Sequence, residues 1–368
     1  MAAYLLKTGT IFAACALVAV AVFVSCAYFR KGGGEPDGGE YRSPNFRDGV
    51  FLNPVPTTVT MDGKTMNTLW RWISITDGRT PGSALSFRNA SIREQMEAPG
   101  DLKIAWVGHS SVLMKIDGKI FLTDPMWGRR ASPLSFMGPA RFFEPPFSLD
   151  ELPRLDGVII SHDHYDHLDR DTIERLGATG VMFYAPLGVG AILRSWGVAA
   201  ENVAEFDWWQ ERALGEGHRL VAVPARHFSG RGLRSRNSTL WTAWVVAGGA
   251  HRVFFGGDGG YFEGFAEIGA KYGPFDLVML ETGAYDRNWP AIHMGPVNAV
   301  RAHLDLKGRV LMPIHWGTFN LALHAWTEPV ETLVASAREQ AVALCLPRPG
   351  QVVQGDSLAV DSRWWGTD

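Results

Sequence analysis

The spacing of hydrophobic and polar positions changes along the chain. Early on, short β-rich runs follow one another: LKIAWVGHSSVLMKIDGKIFLTDP (102–125) holds two strands joined by Asp117-Gly118, a strong hairpin signal, and GVIIS (157–161) predicts a buried strand. Later, apolar strands alternate with segments of helical spacing. Predicted strands cover 219–225, 240–246, 252–257, 275–280 and 309–314, and predicted helices cover 171–177, 188–197, 261–273, 298–308 and 332–344.

This order of elements predicts the fold class. Strands that come in runs and then alternate with helices suit an α/β sandwich better than one doubly wound sheet. We therefore expect an αββα arrangement, in which two mixed β-sheets face each other and helices cover their outer faces. No repeat, second linker or low-complexity block follows the first 55 residues, so residues 56–368 are predicted to form one domain.

Composition narrows the function classes. The chain has 368 residues and 46% hydrophobic positions, enough for a large core. Its formal net charge of −3 gives no electrostatic basis for a nucleic-acid partner. Cys15, Cys26 and Cys345 cannot make a disulfide framework and are too scattered for a cysteine-based zinc site. No motif fixes the oligomeric state, and a homodimer is one option.

The first 31 residues predict attachment to a membrane. An uncharged apolar run between Lys7 and Arg30, roughly 20 residues long, could span a bilayer. Its end, FVSC (23–26), resembles a relaxed bacterial lipobox with Cys26 as the lipidated residue, and an uncleaved signal anchor is the alternative. Either would place the protein in a bacterial cell envelope. Residues 32–55, which contain much glycine and charge, are expected to form a flexible tether.

The strongest chemical signal is SHDHYDHLD (161–169), which follows a predicted strand. Residues two apart point the same way in an extended or looping backbone, so His162 and His164 can bind one ion. Asp166 and His167 lie further round the turn and can face a second ion. Imidazoles and carboxylates are ligands of catalytic zinc. A metal site is therefore favoured over a polar surface loop.

Three more candidate ligands follow later strands. His227 comes after strand 219–225, Asp258 after 252–257 and His315 after 309–314. Because each lies where an apolar strand ends, these side chains could converge at one edge of the sheets. Either histidine alone would more readily be a hydrogen-bonded scaffold residue, but beside the cluster all three are predicted metal ligands. The glycines around Asp258 allow a tight backbone turn.

The HxHxDH motif with later His, Asp and His resembles the metallo-β-lactamase superfamily, which implies an αββα sandwich with a dinuclear site. Further segments resemble the N-acylphosphatidylethanolamine-hydrolysing phospholipase D family, in the same order, between residues 100 and 330. These segments are AWVGHSSV, IFLTDPMWGRRASP, FMGPARF, WWQE, FFGGDGGY, IGAKYGPFDL, GAYDRNW and IHWGTF. The ascorbate-6-phosphate lactonase group is more distantly similar.

The resemblance implies a ligand set with two Zn2+ ions per chain. His162, His164 and His227 would hold one ion, Asp166, His167 and His315 the other, and Asp258 would bridge them. The ions would share a hydroxide that attacks a phosphodiester in line, so no protein nucleophile is required. Asp166 is thereby implied to be catalytic as well as a ligand.

Other site residues are implied by the same resemblance. His293, in AIHMGP, matches a histidine expected to contact the phosphate or assist the leaving group. The family's acidic residue two positions later is Gly295 here, which could alter the hydrogen bond that orients His293. Tyr165 is implied to point toward the substrate entrance. His109, in GHSS, is expected to hydrogen-bond within the scaffold.

These likenesses imply a zinc-dependent phosphodiesterase of phospholipase D type that hydrolyses N-acylphosphatidylethanolamine-like phospholipids. The apolar segment LSFMGPARFFEPPF (134–147) suits a lipid-facing loop and a core-packed loop equally, so it does not decide the substrate. Two alternatives stay open. One is a metallohydrolase for another ester, such as a lactone or a soluble phosphodiester, and the other is a non-catalytic module that binds metal.

Overall fold

The computed structural model describes residues 41–59, 70–71, 74, 78–232 and 235–366. The strands in these residues are β1 (Phe46–Arg47), β2 (Val50–Phe51), β3 (Leu102–Gly108), β4 (Ser111–Ile116), β5 (Lys119–Thr123), β6 (Gly157–Ile159), β7 (Phe183–Pro186), β8 (Val203–Phe206), β9 (Glu211–Gly215), β10 (His218–Val223), β11 (Ala243–Ala247), β12 (Arg252–Phe255), β13 (Phe275–Glu281), β14 (Gly308–Ile314), β15 (Ala343–Leu346), β16 (Val352–Gln354) and β17 (Val360–Asp361). The helices are α1 (Ile92–Glu97), α2 (Arg170–Gly177), α3 (Val189–Ser195), α4 (Gly264–Tyr272), α5 (Gly295–Asp305) and α6 (Glu328–Glu339).

Two mixed sheets form the centre of the fold. The seven-stranded sheet has the order β16-β3-β4-β5-β6-β7-β8, and the eight-stranded sheet has the order β17-β15-β14-β13-β12-β11-β10-β9. Each is antiparallel at one side and parallel at the other, with β5, β6, β7 and β8 parallel in the first and β12, β13, β14, β15 and β17 parallel in the second. The predicted sandwich of two mixed sheets is confirmed.

The hydrophobic core has three layers that match this arrangement. The central layer joins the sheets through fully buried side chains such as Met114 and Phe121 on one side and Leu220 and Val253 on the other. The other two layers lie under the helices, α1–α3 over the seven-stranded sheet and α4–α6 over the eight-stranded sheet. Helices therefore cover the outer faces, as expected for an αββα sandwich.

The hairpin signal at Asp117-Gly118 is confirmed, since β4 and β5 pair directly across it. The Asp117 carboxylate also links the two sheets. It accepts hydrogen bonds from the backbone N–H groups of Ala250 and His251 and contacts Nδ1 of His251 at 2.6 Å, in the turn between β11 and β12. This contact lies at the ends of those strands that are remote from His109 and Asp258.

One helix prediction is partly wrong. The apolar spacing of 332–344 predicts a helix throughout, but α6 ends at Glu339 and β15 begins at Ala343. The end of this segment pairs in parallel with β14, where Leu344 lies opposite Leu311. Pairing with β14 therefore outweighs the helical spacing at the end of this segment, where residues 343 and 344 belong to the strand.

The predicted tether boundary at residue 55 also needs correction. Phe51 is 0% exposed, and its ring contacts those of Tyr41 and Phe46. The side-chain amide of Asn53 donates a hydrogen bond to the carbonyl of His227 at 2.7 Å. Aromatic burial thus fixes this stretch to the eight-stranded sheet. The predicted anchor segment, 1–31, lies outside the described residues, and within the described ranges every helix is too short or too polar to cross a bilayer.

Candidate metal centre

The motif 162–167 lies in the loop between β6 and α2, at the end of the seven-stranded sheet. The loop ends where α2 begins, because the Asp169 carboxylate accepts hydrogen bonds from the backbone N–H and the hydroxyl of Thr172. His227, Asp258 and His315 follow β10, β12 and β14 of the other sheet. The structure brings all seven predicted ligands to one end of the sandwich, although metal binding by each stays a prediction.

His162, His164 and His227 form the first group. Nε2 of His162 lies 2.8 Å from Nδ1 of His164, and Nε2 of His227 lies 3.3 Å from that same Nδ1 atom. Ligand atoms of the three residues all lie within 4.8 Å of one another. Their ring nitrogens therefore face one point, the arrangement required for three imidazoles to share an ion.

Asp166, His167 and His315 form the second group, and His109 joins them. Oδ2 of Asp166 lies 3.5 Å from Nε2 of His167 and 3.2 Å from Nε2 of His315. Nε2 of His109 lies closer, at 2.8 Å, and the His109 ring packs on His315 with centroids 4.0 Å apart. The scaffold interpretation of His109 is thus incomplete, because its hydrogen-bond partner is a predicted metal ligand.

Asp258 lies between the two groups. Its Oδ2 atom is 2.9 Å from Nε2 of His315 and 3.2 Å from Nε2 of His167. The same atom is 3.8 Å from Nε2 of His227 and 4.0 Å from Nε2 of His162. One carboxylate oxygen thus faces ring nitrogens of both groups, as a bridging ligand would.

The proton positions of this cluster fit a cation. Nδ1 of His227 donates to the carbonyl of Ile292 at 3.0 Å, and Nδ1 of His167 faces Oδ2 of Asp124 at 2.7 Å. In a neutral ring each Nε2 then carries a lone pair, directed at other nitrogens and at a carboxylate. Nε2 of His167 and Oδ1 of Asp258 are buried, and neither has a hydrogen-bond partner among the residues that the structure describes. A divalent ion bound by imidazole and carboxylate would remove this repulsion.

The pKa shifts of the histidines differ between the two groups. Burial and the neighbouring histidines lower the pKa of His162 well below its usual value, and burial does the same to the pKa of His227. These rings are therefore neutral at pH 7, as metal ligation requires. Burial also lowers the pKa of His315, but the carboxylates of Asp258 and Asp166 outweigh it and raise that pKa to about 9. At the second group a metal would therefore compete with protons.

Two carboxylates that face histidines of the candidate site were not identified from the sequence. Asp124 is fully buried after β5 and, besides facing His167, accepts hydrogen bonds from the backbone and hydroxyl of Ser161. Glu281 is fully buried at the end of β13 and faces Nδ1 of His293 at 2.6 Å. Both are acids at the ends of apolar strands, the same signal that identified Asp258.

A cavity of about 280 Å3 opens over the cluster. Its polar wall holds the predicted ligands His164, Asp166, Asp258 and His315, together with His293. Its other wall is mainly apolar and consists of Val59, Phe228, Ala284, Trp289, Ile292 and Leu321. The cavity can therefore place a non-polar part of a substrate beside the candidate ligands.

Tyr165 lies elsewhere. Its ring lines a second cavity of about 200 Å3 together with Arg129, Arg130 and Arg231. The hydroxyl donates a hydrogen bond to the carbonyl of Arg231 at 2.8 Å, and the Arg231 guanidinium covers the ring. This position differs from the expected one facing a substrate at the metals, and a substrate-binding role for Tyr165 stays a prediction.

Comparison with known proteins agrees with the geometry. A family model described as "Beta-lactamase superfamily domain" matches residues 119–316, a range that contains all seven candidate ligands. Among solved structures, the metallo hydrolase Igni18 of the archaeon Ignicoccus hospitalis has a TM-score of 0.55 at 21% identity, over 69% of this chain and 98% of that one. At this identity the likeness concerns the fold.

Two relatives are similar over most of their length. An uncharacterized protein of Mycobacterium tuberculosis is 46% identical over 333 residues, which cover 88% of this chain and 88% of that protein. N-acyl-phosphatidylethanolamine-hydrolyzing phospholipase D 1 of Caenorhabditis elegans is 35% identical over 277 residues, which cover 72% of this chain and 78% of that enzyme.

Proposed function

Because the chain belongs to the metallo-β-lactamase superfamily and is a metal-dependent hydrolase related to N-acyl-phosphatidylethanolamine-hydrolysing phospholipase D, we propose that it is a zinc phosphodiesterase acting on N-acylphosphatidylethanolamine-like phospholipids. The observation that carries the proposal is the position of Asp258. Its Oδ2 faces both histidine groups, as a site for two ions requires.

We assign the metal ligands as the sequence predicts. His162, His164 and His227 would hold one zinc ion, Asp166, His167 and His315 the other, and Asp258 would contact both. When bound, such a pair of ions activates a water for attack and neutralises the charge of a phosphodiester. The hydrogen bonds from His109 to Asp166 and from His167 to Asp124 keep the ligands in place.

The remaining residues would bind and orient the substrate. His293 borders the cavity, with its ring centroid 5.2 Å from that of His227 and 5.3 Å from that of His315. It is therefore placed to contact a phosphate oxygen or to give a proton to the leaving group. Phe228, Trp289 and Leu321 offer non-polar contacts to the lipid beside it.

Hydrolysis assays on three substrate classes test the proposal. Purified, zinc-loaded protein is given N-acylphosphatidylethanolamine in mixed micelles, a set of lactones, and a chromogenic phosphodiester. We expect release of the N-acylethanolamine with the highest kcat/KM. Faster lactone opening, with no cleavage of the phospholipid, would contradict the lipid assignment, and turnover of none of them by metal-loaded protein would favour a binding module.

A different ester is the second candidate, and the size of the cavity is compatible with it. About 280 Å3 suffices for the reacting group of a lipid but would also hold a small ester completely. The chromogenic phosphodiester in this assay distinguishes a soluble phosphodiesterase from a phospholipase. A soluble phosphodiesterase would cleave the chromogenic substrate much faster than the lipid.

We also retain membrane attachment by residues 1–31 as a proposal. It is supported by the apolar run and by the sequence FVSC at 23–26. Labelling cells with a fatty-acid probe, in the parent and in Cys26→Ser, distinguishes the two forms of attachment. A lipoprotein loses the label in the variant, whereas an unlabelled parent in the membrane fraction indicates a signal anchor.

A further inference from the structure

Glu281 and His293 form a buried pair beside the candidate ligands. Oε2 of Glu281 lies 2.6 Å from Nδ1 of His293, and Oε1 accepts a hydrogen bond from the backbone N–H of Met294 at 2.5 Å. The Glu281 side chain is 0% exposed, whereas that of His293 is 13% exposed and borders the cavity. Both oxygens of this carboxylate are thus directed at one short segment.

The Glu281 carboxylate is an unusual residue for this strand. The rest of β13 is FDLVML, in which all residues but Asp276 are buried and apolar. Burying an acid among such residues is costly unless it is hydrogen-bonded, and burial raises the pKa of Glu281. Hydrogen bonds to His293 and Met294 offset that cost. Because an apolar side chain would serve the strand better, the acid points to a function at His293.

The backbone explains why the acid comes from β13 and not from the residues after His293. Gly295 has φ +67°, a left-handed conformation that few other residues adopt easily. A Cβ atom there would lie 3.2 Å from Cγ of the Tyr285 ring. A carboxylate at position 295 would therefore be strained and crowded, and Glu281 reaches Nδ1 of His293 from the neighbouring strand instead.

We propose that Glu281 is a positioning residue that keeps the proton of His293 on Nδ1 and leaves Nε2 for the cavity, and that it acts through His293 and not as a metal ligand. The inference rests on the proposed function of the same site. A carboxylate accepts from Nδ1–H, so the neutral ring has its free lone pair on Nε2, at the opposite edge. His293 then meets substrate in one orientation and one tautomer.

Metal ligation by Glu281 is the competing explanation. One ligand atom from each of Glu281, His293, Asp258 and His315 lies within 4.8 Å of the others, so distance alone allows it. The hydrogen bonds argue against it, because both carboxylate oxygens of Glu281 already accept from His293 and Met294. The two explanations differ in what the loss of the charge does to metal content.

Asp124 provides a matched control. Like Glu281, it is a 0% exposed carboxylate that faces Nδ1 of one histidine, at 2.7 Å from His167. His167 is a proposed metal ligand, and His293 is not. Asp124→Asn should therefore weaken metal binding, and Glu281→Gln should leave it unchanged.

The substitution Glu281→Gln tests the proposal. Nδ1–H and the Met294 N–H donate to different oxygens of the carboxylate, and in an amide one of these two positions becomes an NH2 group, which can only donate. We expect the ring 15N signals of His293, assigned by comparison with His293→Ala, to show Nδ1–H in the zinc-loaded parent and a changed or mixed tautomer in the variant. Two zinc ions per chain should remain.

Kinetics on the chromogenic phosphodiester complete the test. We expect kcat to fall about 10–100-fold in Glu281→Gln, the usual effect of losing an outer carboxylate, with KM changing little. The double variant with His293→Ala should be no slower than His293→Ala alone. Loss of zinc, multiplied effects in the double variant, or an unchanged tautomer would each overturn the proposal. The zinc and 15N readouts need no phospholipid, so failure of the lipid assignment is recognised separately.

Discussion

The two sheets contribute to the candidate metal centre in different ways. The seven-stranded sheet supplies the candidate ligands of one loop, residues 162–167, which are neighbours in sequence. The eight-stranded sheet supplies His227, Asp258 and His315 from the ends of three separate strands. Strand order brings this second set together, since β10, β11, β12, β13 and β14 are consecutive in the sheet. One half of the site is thus local in sequence, and the other depends on the whole fold.

The largest loss of turnover is expected at Asp258, which lies between the two groups of histidines. Asp258→Asn removes the charge that faces four histidine nitrogens, so we expect turnover to fall on the order of 1000-fold and the bound metal to decrease. Steady-state kinetics and elemental analysis measure both. Asp276→Asn, at the half-buried second residue of β13, is the control and should keep parental activity. A fully metallated, active Asp258→Asn protein would show that the sheets do not share a site.

Asp166→Asn comes next, because Asp166 faces one group only. We expect a loss of roughly 100-fold in kcat with an unchanged circular dichroism spectrum. Asp163→Asn is the matched control within the same motif. Its carboxylate accepts from the backbone N–H of Gly230, and an asparagine oxygen can do the same. Equal losses in both variants would mean that the motif acts only through its structure.

A smaller effect is expected at Asp124, which hydrogen-bonds to a candidate ligand of the loop 162–167. Asp124→Asn weakens the hold on Nδ1 of His167 and should reduce zinc affinity about 10–100-fold. Competition with a zinc-binding dye measures that affinity. Unchanged affinity would indicate that the backbone alone orients His167.

The smallest effect concerns the far end of the sheets, where Asp117 contacts the turn of His251. Burial raises the pKa of Asp117, but the hydrogen bonds from His251 and Ala250 outweigh it and leave the pKa lowered. A lowered carboxyl pKa contributes stability above about pH 4, the unfolded value, and that stability is lost as pH falls through the folded pKa.

Asp117→Asn should therefore reduce the free energy of unfolding by roughly 0.5 kcal/mol at pH 7, because solvent screens the pair. Asparagine tolerates the positive φ of this turn, so the backbone should be unaffected. Urea unfolding at pH 7 and below pH 3 gives the comparison, and the difference between parent and variant should disappear at the lower pH. A constant difference would exclude the charge as its cause, and activity at pH 7 should not change.

The order of strands and helices predicted the fold class, and the spacing within the loop 162–167 predicted its candidate ligands. The alternation around Asp117-Gly118 and the spacing of His162, His164 and His167 are visible within a few residues. The start of β15 at Ala343 was not predictable in this way, because only pairing with β14 distinguishes it from a continued helix.

The candidate ligands that the eight-stranded sheet contributes could be predicted only in part. A polar residue at the end of an apolar strand identified Asp258 and His315, and the same signal occurs at His109, Asp124 and Glu281. Which of these strand ends meet is decided by sheet order, which the pattern does not contain. The hydrogen-bond partner of His293 is therefore Glu281, which only the fold brings close, and not one of the residues that follow His293 in sequence.

Counting the zinc bound to the purified parent protein tests the central claim most directly. If the two sheets jointly build one dinuclear centre, elemental analysis after zinc loading and removal of excess metal should give about two ions per chain. Asp258→Asn should then give fewer. A reproducible value of one ion in the parent would contradict the account, because a single ion leaves no bridging position for Asp258.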